Sequence, residues 1–130
     1  MIPSRPEKIG FPVLRSEKRG QRGGAFSLAD GMEDEAYLTL LKNTFPQLLD
    51  QVQPDFVFYL CGVDIVATDK LGRLGMSVDG CKARDAYVLR ILKESEIPVQ
   101  CSMGGGYSKD IKIILEAHAN TFRIAQELYN

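Results

Sequence analysis

The side chains able to do chemistry gather between Pro54 and Ser108, at the ends of two apolar runs. Phe56-Val57-Phe58-Tyr59-Leu60 leads into Cys61-Gly62-Val63-Asp64 and then Asp69-Lys70-Leu71-Gly72; Val99 to Met103 leads into Gly104-Gly105-Gly106-Tyr107. Open parallel α/β sheets bind ligands beyond the carboxyl ends of their strands. Asp64 and Tyr107 therefore share one edge if the two runs are neighbouring strands. A carboxylate in that place either ligates a cation or caps its own loop, and the residues alone favour the cap. A glycine loop entering a helix is also an anion-site pattern, a weak one here without G-x-G-x-x-G or a P-loop lysine. His118, the only histidine, lies four residues from both Ile114 and Phe122 on an apolar face, which favours a core histidine over catalysis or metal binding. Cys61, Cys81 and Cys101 are odd in number and lack C-x-x-C spacing. They read as small buried hydrophobes, not as a disulfide framework or a zinc ribbon.

The elements that must position these residues follow from periodicity. Phe56 to Leu60 is continuously apolar, the pattern of a parallel strand covered on both faces. Ser77 is an N-cap for a helix to about Ser95, with Cys81, Val88, Ile91 and Leu92 inward. Strand, crossover helix and second strand make a right-handed βαβ unit. Ser108 then caps a third helix with Ile111, Ile114, Leu115, Phe122, Ala125 and Leu128 inward. Upstream, Ala25 to Leu28 reads as a short edge strand, and Asp30 with Glu33 has the form of a capping box. The helix it opens places Tyr37, Leu41, Phe45, Leu48, Leu49 and Val52 on one face, and Pro46 should kink or break it.

Length and composition bound the class. A chain of 130 residues, 45% of them hydrophobic, fits one domain with a modest core, and a net charge of -1 argues against a general nucleic-acid binder. No apolar run reaches membrane-spanning length and no signal-peptide core opens the chain, so the cytoplasm is the expected compartment. Charge is uneven: residues 1–23 hold Arg5, Lys8, Arg15, Lys18, Arg19 and Arg22 against Glu7 and Glu17. With several prolines and glycines and no period, 1–23 reads as a basic irregular arm. Such runs are more often simply solvated than nucleic-acid-binding.

Taken together, Gly62-Val63-Asp64, Asp69-Lys70-Leu71-Gly72 and Gly104-Gly105-Gly106-Tyr107, in that order, resemble the C-terminal part of the zinc-dependent histone deacetylase family, including its bacterial deacetylase-like members. Leu28-Ala29-Asp30-Gly31-Met32-Glu33-Asp34-Glu35-Ala36-Tyr37 is similar to the family's lead into a helix. The resemblance covers residues 25–130 and, more loosely, Glu7 to Lys18, where Phe11-Pro12 resembles a loop of the family. It implies that 24–130 is the C-terminal portion of a deacetylase domain with part of the three-layer α/β/α arginase-deacetylase fold, parallel strands joined by crossover helices. It implies further that Asp64 is one of three ligands of a zinc cofactor, the others coming from an upstream Asp-x-His. Tyr107 becomes the oxyanion donor. Gly105 and Gly106 let the backbone pass close to an acyl-lysine-type substrate, Leu71 lines the tunnel for its stem, and Asp69 and Gly72 shape the loop. Read without the resemblance, Leu71 is an ordinary buried leucine.

The family's paired histidines and its Asp-x-His find no counterpart in this sequence. A catalytic zinc takes three protein ligands, so the resemblance implies a polypeptide incomplete as a deacetylase by itself. The family's sheet is larger than the strands here. Uncovered parallel strands invite pairing, so the expected partner is the missing N-terminal half or a second copy. The alternative is a non-catalytic remnant, a binding or assembly module of the same fold. Aspartate-rich dimetal motifs of the related ureohydrolases are absent from the sequence.

Overall fold

The computed structural model describes residues 26–130. The basic arm expected over 1–23 and the Phe11-Pro12 loop lie outside them.

Helix α1 runs Asp34–Val52 and buries Tyr37, Leu41, Phe45, Leu49 and Val52 along one face, as the spacing predicts. Its start differs from the expected capping box. Glu33 is the N-cap and its side chain caps nothing. Asp34 instead reaches forward, accepting the Ser77 backbone N–H at 2.8 Å and the Ser77 hydroxyl. Pro46 lies inside the helix without ending it. Its lost hydrogen bond and ring clash cost about 3 kcal/mol, and the buried stripe running past it on both sides offsets that. Gln53 closes the helix in the left-handed region, donating to the Leu49 carbonyl at 2.8 Å.

Strand β1 (Val57–Leu60), helix α2 (Val78–Glu94), strand β2 (Val99–Ser102) and helix α3 (Ile111–Tyr129) follow in order. The strands pair in parallel from Val57↔Val99 to Leu60↔Ser102, so the two runs are neighbours as expected. Ser77 caps α2 by accepting the Gly80 N–H at 2.9 Å. Val88, Leu89 and Leu92 on its inner face are fully buried, each worth about 1.5–3 kcal/mol of apolar burial. Helices α1 and α3 both pack on α2. Phe26 to Leu28 form no strand, so the expected edge strand is absent over these residues. Ala25 lies outside the described residues.

Two expectations about burial fail, both on faces that the described residues leave uncovered. Along β1, Val57 and Tyr59 are buried under the helices, while Phe58 and Leu60 are 67% and 61% exposed. The strand is covered on one face, not both, because the helices lie against only one side of it. In α3 the N-cap is Asp110, not Ser108; its carboxylate accepts the Lys112 N–H at 2.9 Å. The buried face of α3 is Ala117, Asn120, Thr121 and Ile124, whereas Ile111, Leu115 and Phe122 face outward. A hydrogen bond from Thr121 to Asp85 of α2 sets this rotation of the helix. Among the described residues no helix is long and apolar enough to cross a membrane.

Candidate functional site at the carboxyl edge of the two strands

Both strands end on the same edge, and their loops interlock there. The Val63 N–H donates to the Gly104 carbonyl at 3.0 Å, which ties the turn carrying Asp64 to the glycine loop. Gly105 has φ +72, a left-handed conformation open chiefly to glycine. A methyl group there would stand 2.8 Å from the Asp64 nitrogen. Gly72 is more confined, since a methyl group there would stand 1.7 Å from the Asp64 carbonyl oxygen. Asp64 is thus enclosed by a glycine of its own loop and one of the loop after β2, and its half-buried side chain sits where the strand ends.

Asp69 joins the remaining parts. Its Oδ1 accepts the N–H groups of Leu71 and Gly72, both at 2.9 Å, and its Oδ2 accepts those of Tyr107 at 2.9 Å and Gly106 at 3.4 Å. Burial works against its charge, but the four N–H donors, Tyr107 first, outweigh it and hold its pKa below the ordinary value. The loop after β1 and the loop after β2 therefore move as one piece. Leu71 and Tyr107 project from that piece and are exposed. The expected buried leucine is absent; Leu71 is held out at the surface by the turn that Asp69 clamps.

Beneath the edge lies a buried charged cluster. Arg84 donates through Nη1 to the Gly62 carbonyl at 2.8 Å and through Nε to Asp85 at 2.9 Å. Asp85 also accepts the hydroxyls of Tyr59 and Thr121. The guanidinium lies 5.8 Å from the centre of the Tyr59 ring. Burial pushes the Tyr37 phenol up to about 12, and the Tyr59 phenol up as well. Both stay neutral beside the ion pair.

His118 is nearer the loops than its place in the sequence suggests. Its Nε2 lies 3.7 Å from where a methyl group on Gly106 would stand, because α3 folds back past the glycine loop. It is half-buried, so the expected core histidine is only partly enclosed. Burial lowers its pKa below the ordinary imidazole value.

Among the described residues no group of three or more His, Cys, Asp or Glu side chains is gathered to hold a metal ion. Asp69 spends its oxygens on backbone donors. One carboxylate, Asp64, does not make a zinc site by itself, so the described residues do not fit a resident zinc unaided.

Of the positions singled out from the sequence, Asp64, Leu71, Gly105, Gly106 and Tyr107 all come together at this edge. Sequence reasoning missed Arg84 and Asp85. Their signal was available: two adjacent charges in mid-helix, within a turn of the inward residues Cys81 and Val88.

The comparisons with known proteins bear on the family and the fold. Residues 8–122 match the histone deacetylase domain. An uncharacterized protein of Picosynechococcus is 39% identical over 122 residues, covering 94% of this chain and 39% of that protein. Histone deacetylase 9 of Arabidopsis thaliana is 30% identical over 106 residues, covering 77% of this chain and 24% of that protein. Among solved structures, acetylpolyamine aminohydrolase from Burkholderia pseudomallei superposes with a TM-score of 0.62 at 16% identity, covering 79% of this chain and 28% of that one. That likeness shows the arginase-deacetylase fold, of which this chain has a part. The chain spans well under half the length of these relatives. The interlocked strand-end loops and the match across most of the sequence lead to one conclusion: the chain belongs to the histone deacetylase domain family.

Proposed function

We propose that this chain supplies the C-terminal part of a cytoplasmic zinc-dependent deacetylase site that hydrolyses an acyl-lysine-type amide. The observation that carries the reading is the Asp69 clamp, which fixes Leu71 and Tyr107 on one rigid edge beside Asp64. In this reading the Asp64 carboxylate is one zinc ligand; the other ligands and the histidine pair come from the part of the domain that the chain does not cover. Zinc would supply Lewis acidity there. Tyr107 donates its phenolic hydrogen to the substrate carbonyl oxygen as charge builds on it, and Leu71 lies against the methylenes of the lysine stem. The exposed face of Phe58 and Leu60 is where the rest of the sheet's covering layer docks.

The test is a chimera in which residues 8–130 replace the matching segment of the Arabidopsis relative, assayed with an acetyl-lysine amide. Turnover that falls by about 10²–10³ in Tyr107→Phe, and is lost in Asp64→Ala, supports the proposal. A folded chimera without turnover sinks it and favours the non-catalytic module.

A further inference from the structure

Arg84 and Asp85 are 1% and 0% exposed. Burying such a pair costs several kcal/mol per ion before attraction repays it, and well-packed apolar replacements are often as stable. Stability is therefore a poor explanation for it. The fork also meets only one carboxylate oxygen: Nε and Nη2 both lie 2.9 Å from Asp85 Oδ1, and of the two only Nε hydrogen-bonds to it. What the pair does complete is a connection. Tyr59 on β1 and Thr121 on α3 both donate to Asp85, Asp85 orients the guanidinium, and Nη1 holds the Gly62 carbonyl two residues before Asp64. Only a planar fork can grip a carboxylate and a backbone carbonyl in fixed relation.

We infer that Arg84 and Asp85 are positioning residues, an internal brace that fixes the Gly62–Asp64 turn and so the direction of the Asp64 carboxylate. The importance of that direction rests on the proposed deacetylase reading; the brace itself does not.

The test is backbone amide hydrogen exchange on the full chain, reading Val63, whose N–H donates to Gly104, against Val88 and Leu89 within α2. The first variant, Arg84→Met with Asp85→Asn, removes both charges and leaves an amide for the two hydroxyls. The second, Arg84→Lys, keeps the charge and loses the fork. In both, Val63 should exchange faster by about tenfold or more, the loss of one charge-assisted hydrogen bond, while Val88 and Leu89 stay within about threefold. Unchanged Val63 exchange overturns the inference. So does an equal loss of protection at all three amides in both variants, since the pair then supports the fold as a whole. Zinc enters none of these readings; if the zinc reading fails, as unaltered Zn²⁺ binding in Asp64→Ala would show, the brace stands or falls separately.

Discussion

The Asp69 carboxylate accepts the Tyr107 backbone N–H at 2.9 Å on one oxygen while its other oxygen holds Leu71 and Gly72. One side chain thus sets the spacing between the two surface residues proposed to meet substrate. Asp69→Ala should cost about 2–3 kcal/mol, as expected for a charged acceptor serving several backbone donors. Urea denaturation checks this. The pH dependence has a defined sign. The folded pKa lies below 3.8, so the contribution is complete above the unfolded value and is lost as pH falls through the folded one. The parent chain should lose stability below about pH 4, and Asp69→Asn should lose less over that range.

Two glycines differ sharply in what they tolerate. A methyl group at Gly72 would meet the Asp64 carbonyl oxygen at 1.7 Å, whereas one at Gly31 would meet nothing within 4 Å. Gly72→Ala should destabilise by more than about 3 kcal/mol, because backbone must move. Gly31→Ala should cost about 1 kcal/mol for its φ of +74 alone. Thermal melts of the two variants side by side test the contrast.

Phe58 and Leu60 should be replaceable at little cost to this chain. Both are well exposed, so Phe58→Ser with Leu60→Thr should change stability by under about 1 kcal/mol while markedly reducing binding of an apolar fluorescent dye. Sedimentation of the parent and the variant then reads self-association directly. A large loss of stability in the variant would mean that a second copy already covers this face.

Thiol reactivity should separate the three cysteines. The Cys101 thiol is lowered by its hydrogen bond with Cys61, and the same bond followed by burial pushes Cys61 up. Burial pushes Cys81 up to about 11. Cys101 is also the one that is only half-buried. Iodoacetamide at pH 7.5 should label Cys101 first, with peptide mapping finding Cys61 and Cys81 modified only on unfolding.

Much of the fold was legible because its signals are local. The Ser77 cap, the inward residues of α2 and the stripe from Tyr37 to Val52 each follow from spacing within one element. The failures share a cause. Periodicity reports that Phe58, Leu60, Leu115 and Phe122 belong on apolar faces, but not whether this chain carries the layer that covers them. In α3 the apolar stripe misled for that reason, while the helix turned a polar residue, Thr121, inward to meet Asp85. At the site, residue type and order located Asp64 and Tyr107. The adjacent mid-helix charges marked Arg84 and Asp85 as inward, but no pattern in the sequence pairs that arginine with the carbonyl of a glycine in a distant loop.

The one-sided cover of β1 also bears on how such a domain comes together in time. Strand, helix, strand and helix follow one another along the chain and share one core that does not include the far face of β1. The edge carrying Asp64 and Tyr107 can therefore take shape while the far face of Phe58 is still wet. Docking on that face becomes a separate and later event, so replacements there should slow it while leaving the loops already set.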